Sequence, residues 1–157
     1  MCQYCGCKAM PLIRDYIAEH ERATDHADRV MRALDHGDID DARVHVKAMA
    51  EELASHWKGE EAGVFTVMSA EEQQYADYVA PLIAEHRELE QLLATIDLSD
   101  PAEQDRFRHA AAELAEHISR EEDGLFPATL TALTGVEWNQ AIDAWYAAHP
   151  GQTLMRD

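Results

Sequence analysis

The sequence predicts an all-α protein: an up-down-up-down four-helix bundle with an additional short C-terminal helix. Apolar residues recur with a 3.6-residue period in five segments, which is the signature of amphipathic helices. Helix caps and stop signals stand between these segments. No long linker or low-complexity stretch interrupts the chain. With such short connections, consecutive helices are expected to pack antiparallel around one core.

The first two helices are predicted on either side of one glycine. The first covers roughly residues 10–35 and is closed by Gly37, a residue that readily ends helices. The second begins at Asp38 or Asp40, because an aspartate side chain can accept a bond from the free backbone N–H groups of the first turn.

The third and fourth helices have equally clear start signals. Ser69-x-x-Glu72 reads as a capping box, and Asp100-Pro101 is a cap followed by proline at the first helical position. Pro127 falls near the end of the fourth helix and is expected to kink or terminate it.

A fifth helix starts at Thr134-x-x-Glu137 and ends near His149. The predicted organisation is therefore an N-terminal tail (1–9), a four-helix bundle (10–133) and a C-terminal helix with its tail (134–157).

Composition limits the partners of this chain. Its 157 residues suit one domain with a real core, and 46% of them are hydrophobic. The formal net charge of −18 disfavours nucleic acid and anionic membrane surfaces. No apolar run approaches the roughly 20 residues that span a bilayer, and the N-terminus does not read as a secretion signal. A cytoplasmic location is therefore expected, while the oligomeric state is left open.

All three cysteines, Cys2, Cys5 and Cys7, lie in the N-terminal tail. An odd number in a non-secreted chain argues against a disulfide framework. The thiols could bind a metal with a fourth ligand from elsewhere, or supply electrons. A frayed tail with thiols of no special role is the alternative.

An internal repeat carries most of the functional information. Residues 52–65 and 113–126 share the pattern E-L-A-x-H-x-x-x-E-E-x-G-x-F, and Ile-Ala-Glu-His occurs twice, ending at His20 and at His86. In H-x-x-x-E, the histidine and the glutamate lie about 40° apart around a helix and so share one face.

The repeat predicts a centre for two metal ions. Unpartnered polar groups in the apolar stripes of all four helices would cost several kcal/mol each, whereas shared cations would satisfy them. Imidazole and carboxylate suit iron and its neighbours in the periodic table. The zinc motif H-E-x-x-H and the ferritin-like E-x-x-H are both missing. The predicted metal ligands are His20, His56, Glu60, His86, His117 and Glu121.

The remaining candidates are interpreted by their helical positions. Glu52 and Glu113, one turn before the repeated histidines, are expected to orient imidazoles. Glu61 and Glu122 point about 100° away from the ligand face; they could be partners of the ligand side chains or surface acids, and this geometry favours the surface. The duplicated Gly63 and Gly124 indicate either a close backbone approach beside the site or simple packing. Five other histidines are expected to be structural or solvated: His26, His36, His45, His109 and His149.

This pattern over residues 10–130 resembles the hemerythrin-like (HHE cation-binding) family. The resemblance implies that the four histidines are terminal ligands of two iron ions. It also implies that Glu60 and Glu121 bridge the ions together with an oxo or hydroxo group. Oxygen-carrying hemerythrins have H-x-x-x-H on the third helix, whereas Glu90 follows His86 here. Thr24 occupies the matching position after His20, so the chain looks like the four-histidine branch. Whether Glu90 coordinates is left open.

Three functions follow from this resemblance. The first is a di-iron centre that reacts with peroxide, nitric oxide or dioxygen, as a peroxidase-like, catalase-like or nitric-oxide-processing enzyme. The second is a sensor or reservoir of oxygen or iron. The third is iron donation for iron–sulfur cluster repair, suggested also by the thiols.

Overall fold

The structure, a computed structural model, describes residues 6–155 and contains helices but no strand among them. The predicted all-α fold class is confirmed, and the division into tail, bundle and C-terminal segment stays a prediction. A 3-10 turn, Cys7–Ala9, comes first, whereas Cys2 and Cys5 lie outside the described residues. The α-helices are α1 (Ile13–Asp35), α2 (Ile39–Ala62), α3 (Val64–Glu71), α4 (Gln73–Thr95), α5 (Pro101–Arg120), α6 (Phe126–Ala132) and α7 (Gly135–Ala148).

Three of the predicted helix starts are confirmed. The Asp38 carboxylate accepts the N–H of Asp41 at 3.0 Å, and Asp100 accepts the N–H of Ala102 at 2.9 Å. The capping box at Thr134 opens α7. Each cap satisfies backbone donors that an α-helix leaves free in its first turn.

One predicted helix start is wrong. Ser69 lies inside the short helix α3, and α4 begins after Glu72 without a side-chain cap. Pro127 does not terminate the helical backbone, which continues past it to Ala132, and a kink at this proline stays a prediction. Before α6, a π-helical turn (Glu121–Leu125) widens the helix, and the N–H of Phe126 donates to the carbonyl of Glu121.

The core consists of two apolar clusters with a polar layer between them. Tyr16 and Leu125 belong to one cluster, and Ala23 and Leu114 belong to the other. The sequence positions of the buried histidines and glutamates lie between these clusters on each long helix. Four helices therefore bring polar side chains to one level inside an otherwise apolar bundle.

The helices do not pack evenly around this layer. α1 runs along α2, and α7 packs on α2 and α3, whereas α4 and α5 touch over a much shorter length. Among residues 6–155, no helix is both long and apolar enough to cross a lipid bilayer.

Candidate metal centre

The structure brings all six predicted ligands together. Each of the four imidazoles and two carboxylates is at most 4% exposed. Glu121 lies nearest the centre, with its carboxylate 2.6 Å from His117 Nε2, 3.0 Å from His20 Nε2 and 3.6 Å from His86 Nε2. The Glu60 carboxylate lies 3.2 Å from Nε2 of His56.

The donor atoms form two groups that share one carboxylate. His20, His56, Glu60 and Glu121 offer ligand atoms within 4.8 Å of one another. His86, His117 and Glu121 offer a second set under the same limit. Each group takes one histidine from each of two helices, as the repeat predicts.

The other ring nitrogen of every one of these histidines faces a further carboxylate. Nδ1 of His20 lies 2.9 Å from a Glu122 oxygen, and Nδ1 of His86 lies 2.8 Å from Glu61. Glu85 lies 2.9 Å from Nδ1 of His117, and Glu19 lies 3.4 Å from Nδ1 of His56. A carboxylate at Nδ1 fixes the proton on that nitrogen and leaves Nε2 as the lone-pair donor.

The residues that orient the imidazoles are not the two that the sequence favours. Glu52 pairs with Arg22 at 2.8 Å, and Glu113 lies 3.2 Å from His109, so neither reaches the centre. The surface position favoured for Glu61 and Glu122 is wrong, and the alternative, contact with the ligand side chains, applies to both. Only 26% of the Glu61 side chain is exposed, and Glu61 reaches across to the next helix.

The repeat itself marks these four carboxylates. Glu19 and Glu85 are the glutamates of the duplicated Ile-Ala-Glu-His, and each orients the histidine of the following long helix. Glu61 and Glu122 are the second glutamates of the duplicated H-x-x-x-E-E, and they orient the histidines of the other half. The sequence therefore carries a signal for these contacts, as one additional glutamate in each of the two duplicated motifs.

The inner face of the centre has the character of a cation site. Nε2 of His86 and Nε2 of His117 are 3.0 Å apart, and with both protons held at Nδ1, two lone pairs face each other. Both oxygens of Glu60 and of Glu121, together with Nε2 of His20, are buried without a well-aligned hydrogen-bond partner. Burying carboxylate oxygens and imidazole nitrogens without partners costs free energy, and cations shared among these atoms would satisfy them.

The two central carboxylates differ electrostatically. Burial raises the pKa of Glu60 well above its ordinary value, and the nearby charge of Glu121 raises it further. Burial opposes ionisation of Glu121 too, but the close imidazoles of His117, His20 and His86 bring its pKa well below the ordinary value. Without a cation, the pair therefore favours one proton, held on Glu60.

The imidazole pKa values respond to the same charges. Burial lowers the pKa of His117, but Glu121 and Glu85 more than compensate, so the net shift is upward. His20 also has a raised pKa, because Glu121 and Glu122 outweigh burial and the neighbouring His56. Cation binding must therefore compete with protons for these nitrogens.

The duplicated glycines make room for tyrosine hydroxyls. A methyl group at Gly124 would overlap the hydroxyl of Tyr78, and one at Gly63 would lie 3.1 Å from the hydroxyl of Tyr16 and 2.6 Å from the carbonyl of Gly59. The Tyr16 hydroxyl donates to that carbonyl at 3.4 Å, and Tyr78 donates to the equivalent carbonyl of the second half at 2.7 Å. Close approach beside the site, one of the two expected reasons for these glycines, applies to both.

Helix α7 removes the symmetry of the two halves. His149 at its end contacts the Glu19 carboxylate, and the Trp145 indole N–H donates to Glu19 at 3.4 Å. Burial raises the pKa of Glu19, but hydrogen bonds from His149 and His56 bring it from 4.5 down to about 2. Glu19 is 1% exposed, whereas its counterpart Glu85 is 38% exposed and pairs with an arginine. The sequence predicts only a structural or solvated position for His149, and no signal in it points to this contact.

The remaining histidines lie outside the two groups of donor atoms. Nδ1 of His36 hydrogen-bonds the Arg32 carbonyl at the end of α1. His26 and His45 contact each other, with their Nδ1 atoms 3.2 Å apart, and His109 is 77% exposed.

The open question about Glu90 is answered by its surroundings. Its side chain is 51% exposed and accepts a hydrogen bond from Arg87 at 2.7 Å. It therefore points away from the centre, and its charge is balanced at the surface.

Comparison with known proteins agrees with this geometry. The family model of the hemerythrin HHE cation-binding domain matches residues 12–129, which include α1 to α5 and all six predicted ligands. No curated protein and no solved structure matches the chain. Cation binding, which the description of this family names, agrees with a site that offers buried imidazole and carboxylate donors. The chain belongs to the hemerythrin HHE cation-binding domain family.

Proposed function

We propose that this chain is a non-haem di-iron protein that reacts with hydrogen peroxide, nitric oxide or dioxygen, in the cytoplasm. One observation supports it most: four imidazole Nε2 atoms and two buried carboxylates converge, and each imidazole has a carboxylate at its Nδ1. An oxo or hydroxo group would complete the bridge between the ions. The proposed iron ligands are His20, His56, Glu60, His86, His117 and Glu121.

Iron bound here would supply a redox-active Lewis acid for a small oxidant. The protein's own contribution is to hold the imidazoles in one tautomer and one orientation. Nδ1 of His20, His86 and His117 each hydrogen-bonds a carboxylate, and Nδ1 of His56 lies 3.4 Å from Glu19. Tyr16 and Phe126 close one side of the centre, since both side chains are fully buried against it. Two imidazoles and the shared carboxylate of Glu121 would give each ion fewer donors than iron accepts, so positions for a substrate would remain.

Metal analysis with absorption spectroscopy tests the site. We expect two irons per chain and charge-transfer bands that change when peroxide or nitric oxide is added. His117→Gln should lower iron content and abolish the spectral change. His109→Gln is the matched control, because His109 lies on the same helix and is exposed. Equal iron content in both variants, or no turnover of peroxide and nitric oxide above that of free iron, would contradict the proposal.

A sensor or reservoir is the second candidate. The donor atoms are buried between two apolar clusters, so an ion that binds them should stabilise the folded state by linkage. At 100 times the dissociation constant this amounts to about 2.7 kcal/mol. For a chain of this size, chelation should lower the melting temperature by about 5–10 °C. Unchanged melting after chelation would argue against this candidate, and reversible spectral change without turnover would favour it over an enzyme.

Iron donation to damaged iron–sulfur clusters remains a proposal from the sequence. It relies on Cys2, Cys5 and Cys7. A triple serine variant that still reactivates a damaged cluster would remove the thiols from that function.

A further inference from the structure

A cleft of about 570 Å³ lies between α4 and α5, on the side of the centre that α7 does not cover. Its lining contains the metal-site rings of His86 and His117, and Trp57 stacks on His86 with ring centroids 4.8 Å apart. Apolar side chains supply much of the remaining wall: Leu89, Leu92, Ala110 and Leu114. The cleft therefore leads along an apolar surface to one half of the centre.

The other half of the centre is covered. His20 stacks on Phe126 with ring planes 5° apart, and Tyr16 packs edge-on against His56. Trp145 of helix α7 covers Glu19 and donates its indole N–H to this carboxylate, which is 1% exposed. The halves have equivalent ligands, but among the described residues the cleft opens only on the half that contains His86 and His117.

The cleft is too large for the small oxidants alone. A water molecule takes up about 30 Å³ in the liquid, and pockets of roughly 300–1,000 Å³ with apolar walls hold organic ligands of drug size. Trp57 and the leucine side chains offer a surface that water solvates poorly. An apolar body of several carbon atoms therefore fits the cleft better than a diatomic molecule does.

Charges around the opening indicate what else the occupant carries. The lining includes two arginines, and each is already paired: Arg106 with Glu103 at 2.7 Å, and Arg120 with Glu85 at 2.5 Å. Four more carboxylates also belong to the lining, so the opening is negative overall: Glu88, Asp105, Glu113 and Glu116. A cationic group is attracted to such an opening, and an anionic one is repelled.

We propose that the α4–α5 cleft binds a small organic cation with an apolar body, placed against His86 and His117. Binding in the cleft is inferred from its walls and charges and does not require metal. That the same molecule meets a reactive iron ion rests on the proposed function. The ligand would then gain access to one ion only, the one held by these two histidines.

Three probes with the same apolar body test the proposal: 4-phenylbutylamine, 4-phenylbutan-1-ol and 4-phenylbutyrate. In calorimetric titrations of the full-length, metal-free protein, the amine should bind most tightly, the alcohol less tightly and the butyrate most weakly. The amine should bind about fivefold more tightly than the alcohol, and added salt should reduce this difference. No binding of the amine, or equal binding of amine and butyrate, overturns the proposal.

Variants locate the binding. Glu88→Gln with Asp105→Asn should weaken amine binding about fivefold and leave alcohol binding unchanged. The matched control is Asp28→Asn with Glu51→Gln, which removes two exposed charges elsewhere and should change amine binding less than twofold. Ala110→Phe fills the cleft and should abolish binding of both probes. If Ala110→Phe does not fold, the charge variants still decide, because their side chains are exposed.

The link to the metal centre has its own readout. Adding the amine to iron-loaded protein should shift the absorption bands, and the control variant should give the same shift. If the protein takes up no iron but binds the amine in the cleft, the proposed function fails and the cleft site stands. Probe binding that the cleft variants do not affect overturns the site. Self-association through α4 and α5 that excludes the probes, measured by sedimentation, also overturns it.

Discussion

Replacing the two central glutamates by glutamine should change the stability of the metal-free protein in opposite directions. Glu60 and Glu121 are equivalent in the repeat and both are fully buried. They differ in their neighbours, because two imidazole nitrogens lie within 3.0 Å of Glu121, whereas the nearest one to Glu60 is 3.2 Å away. The ionised form is therefore stabilised at Glu121 and not at Glu60.

The magnitudes follow from these contacts. In the metal-free protein, contacts between ionised Glu121 and the protonated imidazoles of His117 and His20 are charge-assisted and worth about 1.5–3 kcal/mol each, so Glu121→Gln should destabilise it by about 3–5 kcal/mol. Glu60→Gln replaces a buried acid with an uncharged group of the same shape, and it removes the charge repulsion between Glu60 and Glu121. It should stabilise the metal-free protein by about 1–3 kcal/mol at pH 7.

The pH dependence gives each variant a second signature. Because the pKa of Glu60 is raised on folding, its contribution is most favourable below pH 4.5 and is lost as the pH rises toward the folded pKa. Glu60→Gln should abolish that loss. Because the pKa of Glu121 is lowered, its contribution is present above pH 4.5 and is lost as the pH falls below it. Glu121→Gln should abolish that acid-dependent loss.

Urea unfolding of chelator-treated protein, followed by circular dichroism between about pH 2 and pH 8, measures both effects. Both variants should also lose affinity for iron. For Glu60→Gln, weaker iron binding together with a more stable metal-free protein would distinguish a defect in metal binding from a defect in folding. The reasoning is refuted if the two substitutions destabilise the metal-free protein equally, or if Glu60→Gln is the more harmful.

Three further predictions concern the surroundings of the centre. Gly63→Ala should destabilise the protein by about 2–3 kcal/mol in thermal unfolding, because the new methyl group would overlap the backbone carbonyl of Gly59. Gly124→Ala should change stability by less than about 1 kcal/mol, because its methyl group meets the half-exposed ring of Tyr78, which can move. Because the pKa of Glu19 is lowered to about 2, its ionised carboxylate should contribute about 3 kcal/mol to the free energy of unfolding above pH 4.5, and this contribution should be lost between pH 4.5 and pH 2. Acid unfolding measures the loss, and a Glu19→Gln variant with the same acid midpoint as the parent would disprove it. Glu61→Gln should weaken metal binding about 10- to 100-fold, measured with a chelator of known affinity, and Glu90→Gln should leave it unchanged.

The sequence was sufficient for the fold class and for the six residues that converge, for a simple geometric reason. Residues four apart on a helix share a face whatever the helix packs against, so His56 and Glu60 were bound to point the same way. The repetition of this pair then indicated that two helices contribute alike.

Contacts between helices were harder to predict. Glu61 lies about 100° from the ligand face, and this angle alone suggests a surface position. In the bundle, a residue beside the buried stripe reaches the neighbouring helix, and Glu61 meets His86 there. Which helices become neighbours, and at what rotation, depends on the packing of the whole chain. The contact of His149 with Glu19 was missed for the same reason, since nothing local specifies where α7 docks.

Docking of α7 also gives the protein a means of tuning one half of the candidate centre without altering any of the six converging side chains. The helix, Gly135–Ala148, lies beyond the residues that the family model matches, yet its end reaches Glu19 and through it a single imidazole. Substitutions in this segment can change the surroundings of one repeated half while the other stays constant. Two halves that are alike in sequence can thereby be adjusted separately.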